Sequence, residues 1–99
     1  MIKLPEELKD LSNSYLGESA WNRFVSNLYS CNATTDELCN IGIPKDMAKA
    51  IICKVGPVEH SRRWLGTNIP ALSNYKPMEI LKNYQDGERV IRAVLMRMP

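Results

Sequence analysis

The 99-residue chain has one histidine and no closely spaced pair of cysteines, and both scarcities remove whole classes of chemistry. Cys31, Cys39 and Cys53 are odd in number and lie too far apart for the separations of about two to four residues that zinc sites and redox pairs use. They read as buried free thiols, the common state of unpaired cysteine. His60 has no recognisable nucleophile or carboxylate motif around it, so acid–base catalysis lacks its usual constellation. There is no phosphate-cradling glycine loop, no HExxH and no calcium loop. No enzyme, metal site or cofactor is expected. No run of β-branched residues alternates with polar ones, which argues against strands. No apolar stretch approaches the roughly 18 residues of a membrane span. The opening Met1-Ile2-Lys3-Leu4-Pro5-Glu6-Glu7 has acids where a signal peptide needs an apolar stretch. The expectation is a cytoplasmic protein without a membrane partner.

What is present is the balance of an ordinary globular domain, with 44% hydrophobic and 24% charged residues. A chain this short builds one core. The formal charge of +2 is too small to imply nucleic acid by itself. Its distribution is uneven. Residues 1–37 carry three basic and six acidic side chains, which leaves ten of the thirteen basic and five of the eleven acidic ones for the remainder.

The apolar residues recur with helical period. Leu4, Leu8, Leu11 and Leu16 mark a first helix behind Pro5, and Trp21, Phe24, Val25, Leu28 and Tyr29 form the clearest core-facing stripe of a second. Thr34 and Glu37 have the spacing of a capping box for a short helix through Asn40. Ile41-Gly42-Ile43-Pro44 reads as a tight turn, because glycine permits positive φ and the residue before proline is pushed out of the helical region. Pro44 starts a further helix whose face is Met47, Ala48, Ile51, Ile52 and Val55, stopped by Gly56-Pro57. His60, Trp64 and Leu65 suggest a short helix ending near Gly66, with His60 and Trp64 on one face. Residues 67–75 read as an ordered loop plugged by Leu72. Pro77 opens a helix carrying Met78 and Leu81, Gln85-Asp86-Gly87 breaks it, and Val90, Ile91, Val94, Leu95 and Met98 line a last one. The expected fold is all-α, a compact single-domain bundle of about six short helices. Residues 1–57 would form an N-terminal helical part and 58–99 a C-terminal part around one common core.

The segment Thr34 to Val55 has the outline of a degenerate helix-turn-helix, in which Lys45 and Lys49, one turn apart, are the candidate DNA phosphate contacts. The early turns of its second helix offer no Arg, Gln, Ser or Thr to read base edges, and Asp46 would repel the backbone.

More specific words stand in the C-terminal half: Trp64-Leu65, Asn68, Pro70-Ala71-Leu72, Pro77, Leu81, Gly87, Val90 and Leu95, in that order. Over residues 58–98 this series resembles the toxin-binding domain of Xre/MbcA/ParS antitoxins. Each letter has a structural reason: Trp64 as a large apolar anchor, Asn68 and Pro70 fixing a turn, Leu72 plugging the core and Pro77 opening a helix. Family members carry glycine near Asn74, where this chain has Ser73-Asn74-Tyr75; asparagine tolerates the left-handed conformation such a turn needs.

The resemblance implies an antitoxin of a type II toxin–antitoxin pair, a binding protein whose usual partner is a RES-domain toxin that degrades NAD. It implies that the C-terminal region obstructs the toxin's NAD pocket and that the N-terminal helices contribute to homodimerisation or operator DNA binding. On that basis Arg89, Arg92 and Arg97, with Met96 and Met98 as adaptable apolar contacts, are the candidate toxin-binding residues of the last helix. The alternatives are a small DNA-binding transcriptional regulator and a helical inhibitor or adaptor of another host protein.

Overall fold

A computed structural model describes residues 2–28 and 35–98. Among them are seven α-helices: α1 (Glu6–Asn13), α2 (Glu18–Ser26), α3 (Asp36–Asn40), α4 (Lys45–Val55), α5 (Val58–Leu65), α6 (Pro77–Asn83) and α7 (Gly87–Arg97). One 3-10 turn, Pro70–Leu72, lies between α5 and α6, and no strand is present among the described residues. The all-α expectation holds. Tyr29 and Thr34, parts of the expected second stripe and capping box, lie outside the described residues; Thr35 is the N-cap of α3.

The helix boundaries follow local chemistry. Pro5, Pro44 and Pro57 each stand one residue ahead of a helix, at the N-cap, and Pro77 is the first helical residue of α6. These are positions where the missing N–H has no intrahelical acceptor to lose. Gly56 closes α4 at φ 134°, and Gly42 turns the chain between α3 and α4 at φ 97°. Leu16 departs from the expected stripe. Helix α1 ends at Asn13 because the Ser14 N–H bonds back to the Asp10 and Leu11 carbonyls while its Oγ donates to the Leu11 carbonyl at 2.9 Å. Gly17, at φ 100°, then redirects the chain and leaves Leu16 75% exposed.

Residues 67–75 form an ordered loop around the buried Leu72. Asn68 is exposed and makes no side-chain hydrogen bond among the described residues, so it does not fix the turn as expected. Backbone bonds do so: Ile69 N–H to the Tyr75 carbonyl at 3.2 Å and Asn74 N–H to the Ile69 carbonyl at 2.9 Å. Ser73 and Asn74 adopt left-handed φ values of 54° and 68°, the conformation glycine would have supplied.

Tyr75 closes this loop onto α1, its hydroxyl donating to Glu7 Oε2 at 3.0 Å. That bond, then desolvation and the Glu7 charge, raise its pKa above the ordinary 10.0. The folded pKa exceeds the unfolded one, so the bond's stabilisation is complete below about pH 10 and is lost as pH rises through the raised value. Ultraviolet titration should show a component ionising above the ordinary tyrosine value that Glu7→Ala brings down, and a curve unchanged by the substitution would dismiss the bond.

One hydrophobic cluster runs through the molecule, joining Leu8, Trp21, Leu38, Met47 and Ile51 from the N-terminal part to Leu65, Leu72, Ile80, Val90, Ile91 and Leu95 from the C-terminal part. Helix α4 is its centre and packs against α2, α3, α5 and α7; α7 also packs on α1, α2 and α6. A radius of gyration of 12.6 Å matches a single compact body of this length. The expectation of buried free thiols is corrected at Cys53 alone. Cys53, on α4, is disulfide-bonded, Cys39 is a half-buried free thiol, and Cys31 lies outside the described residues. Sequence spacing does not decide such pairing, which depends on the distance and orientation that the fold gives two sulfurs.

Candidate functional site

Helix α7 carries four of the five candidate toxin-binding residues, with Met98 its extended C-cap, and its two ends are built differently. Val90, Ile91, Ala93, Val94 and Leu95 are buried, a continuous stripe that fixes the helix against its neighbours. Its start is set by Asp86, in left-handed conformation at φ 63°, and by Gly87, which lies against the backbone of α6. The N-terminal strand-like segment clamps the preceding turn: Ile2 N–H bonds to the Asn83 carbonyl at 3.0 Å and Gln85 N–H to the Ile2 carbonyl at 2.8 Å.

The first half of α7 faces an open cleft of about 590 Å³ between residues 15–18 and the α6–α7 turn. Arg92 enters its wall with a side chain only 13% exposed. Nη1 donates to the Tyr15 hydroxyl at 2.9 Å and to Glu18 Oε1 at 2.8 Å, and the guanidinium stands over the Trp21 ring at 5.1 Å. Asp46 Oδ2 lies 3.8 Å from Nη2 and accepts a 2.8 Å bond from Trp21 Nε1. Nε is buried without a hydrogen-bond partner among the described residues. Burial pulls the Arg92 pKa down, but the bonds to Tyr15 and Glu18 and their charges outweigh it, so the net shift is upward and the group stays cationic. Arg89 is tied inward as well. Its Nη2 donates to the Ser12 carbonyl at 3.1 Å and its guanidinium lies 5.6 Å from the Tyr15 ring centre. Both arginines tie α7 to its neighbours, Arg89 to α1 and Arg92 to α2 and α4, but only Arg92 is largely enclosed; Arg89 is exposed and keeps most of its donors for solvent.

The far end of α7 is open. Arg97 is exposed and forms no ion pair among the described residues, while Met96 and Met98 are half-buried beside it. Arg97 and Met98 border a shallow pocket of about 250 Å³ whose other walls are Leu11, Ala71 and Val94. This end combines one cation with adaptable apolar surface.

No family model, curated protein or solved structure matches this chain.

The remaining candidates sit where the core dictates. Leu65, Leu72, Pro77, Gly87, Val90 and Leu95 are buried, Trp64 and Leu81 are half-buried, and Asn68 and Pro70 are exposed. Lys45 is exposed and Lys49 half-buried on α4, whose Met47, Ala48, Ala50, Ile51 and Ile52 are all buried. A helix enclosed on so many sides presents only a narrow strip outward, poorly suited to lying in a DNA groove. Asp46 was expected only to repel DNA; it is the acceptor for Trp21. Tyr15, Glu18 and Asp46 escaped the sequence reading because they lie far from Arg92 in the chain, with separations of 77 and 74 residues for the first two. No local periodicity links them. Among the described residues no group of three or more His, Cys, Asp or Glu side chains could hold a metal ion, and no helix is long and apolar enough to cross a membrane.

Proposed function

We propose that this chain is the antitoxin of a type II toxin–antitoxin pair, and that it binds and blocks the active site of a cytoplasmic RES-domain toxin that degrades NAD. The partner class comes from the resemblance of residues 58–98 to Xre/MbcA/ParS toxin-binding domains. The structural observation that carries the reading is the free end of α7, where Arg97, unpaired among the described residues, and Met98 border an apolar pocket and the half-buried Met96 precedes them. Arginine and methionine suit such a role. Arginine is enriched among residues that dominate interface energies, and methionine adapts its shape to an irregular surface. A guanidinium at the rim of an NAD pocket would pair with the carbonyls or carboxylates that hold the ribose hydroxyls. The inward commitment of Arg92 removes it from the proposed contact, which centres on Met96, Arg97 and Met98; Arg89, exposed with one bond to the Ser12 carbonyl, stands on the same helix two turns away.

The experiment is a titration of a purified RES-domain toxin with this chain, reading NAD consumption. Stoichiometric inhibition is the expected result. Arg97→Glu should weaken it by about tenfold or more, the scale of losing a desolvated interfacial arginine, without changing the melting temperature. Undiminished NAD consumption at excess antitoxin would reject the function; inhibition indifferent to Arg97→Glu and Met98→Asp would reject the site.

A further inference from the structure

Three side chains at one helix end are too few for a stable protein contact, which takes about 20–30 residues from each partner. The face around Met96, Arg97 and Met98 must therefore continue, and there are two directions in which it can. Toward α1, Leu11 walls the apolar pocket but stands beside Glu7 and Asp10, both exposed and neither in an ion pair among the described residues. A partner whose carboxylates meet Arg97 would be repelled there. On the other side the wall is Ala71, and the charge beyond it has the opposite sign.

Pro70 and Ala71 are exposed on the 3-10 turn, which the buried Leu72 anchors. Next to them Ile69, with Val55, Trp64 and Thr67, walls a second hollow of about 240 Å³, and His60 and Arg63 stand at its edge. Ile69 and Ala71 are two residues apart, so their Cα atoms lie within about 7 Å and the two hollows flank one ridge. The bonds from Ile69 N–H to the Tyr75 carbonyl and from Asn74 N–H to the Ile69 carbonyl hold that ridge in place. Trp64 is half-buried, packed on the core and also walling the hollow. Arg63 is exposed and, like Arg97, forms no ion pair among the described residues, not even with the exposed Glu59 one turn before it. Among the described residues no carboxylate lines either hollow.

We propose that the Trp64 hollow is the second half of the toxin-binding face. One segment of the toxin crosses the Pro70–Ala71 ridge, places an apolar side chain in each hollow and sets carboxylates against Arg63 and Arg97. The occupant is an acidic segment with two apolar anchors because both rims are cationic and unneutralised, and complementary charge fixes which partner and which register is accepted. The inference rests on the antitoxin reading for the identity of the partner. It turns Trp64 from a core anchor alone into a contact, a role that suits tryptophan and arginine, the residues that most often dominate interface energies.

The test uses the full chain, labelled with nitrogen-15, and a purified RES-domain toxin. The chain has two tryptophans and hence two indole N–H resonances, which Trp64→Phe tells apart. Toxin should move the Trp64 resonance and leave that of Trp21, which is buried and bonded to Asp46. Arg63→Glu should raise the concentration needed for half-inhibition of NAD consumption by about tenfold or more, with a wild-type thermal melt because the side chain is exposed; Arg63→Lys should restore most of the loss. Combined with Arg97→Glu, the two losses should multiply, as separate contacts on one interface do. Inhibition indifferent to Arg63→Glu, or an unmoved Trp64 resonance in an inhibiting complex, would overturn the second contact and leave the antitoxin reading standing. A toxin untouched by the wild-type chain would overturn both.

Discussion

Gly87→Ala should leave the protein less stable by about 3 kcal/mol or more, because the added methyl has nowhere to go. A Cβ built at Gly87 falls on the Ile80 carbonyl, with the carbonyl carbon 2.9 Å away and Ile80 Cγ2 at 3.3 Å. The obstacle is backbone, which cannot rotate aside as a side chain would. Alanine's better helix propensity would return at most about 1 kcal/mol, and the first position of a helix gains less than its interior. The clash therefore wins. For a domain of this size each kcal/mol moves the midpoint by roughly 4–8 °C, so a thermal melt followed by circular dichroism should fall by about 12 °C or more. A variant that melts with the wild type would mean that α6 and α7 do not approach as closely as the structure places them.

Trp21→Ala should cost about 3–5 kcal/mol, the usual range for removing a large buried aromatic. Trp21 is fully buried and packs at 5.5 Å, centroid to centroid, from Phe24. It also performs a polar task. Its Nε1 is the 2.8 Å donor to Asp46, and its ring underlies the Arg92 guanidinium. Trp21→Phe separates the two contributions: it keeps much of the apolar volume and removes the bond to a carboxylate, a loss of about 1.5–3 kcal/mol. Urea denaturation should rank the proteins wild type, Trp21→Phe, Trp21→Ala. Equal stability of Trp21→Phe and wild type would show that the Asp46 bond contributes nothing net and that Trp21 acts by bulk alone.

Both effects trace to positions the sequence marks, but for reasons it does not contain. Trp21 heads an evident helical stripe, which announces burial and says nothing of Asp46, twenty-five residues away on another helix. Gly87 falls in a readable break, Gln85-Asp86-Gly87, yet its need for hydrogen in place of a methyl arises from the closeness of α6. The free end of α7 was legible in the same partial way. Arg89, Arg92 and Arg97 share one helix and look equivalent in the sequence, whereas the fold ties the first two to α1 and α2 and releases the third.

The sequence by itself determined the helical class, most of the helix starts and stops, and the residues that enter the core, because these depend on short-range chemistry: apolar period, proline's missing donor and glycine's positive φ. The tertiary structure alone decided which cations are neutralised, which leucine is left outside and which cysteine is bonded. Each of those outcomes is set by groups brought together across the chain, and distance in space leaves no trace in local pattern.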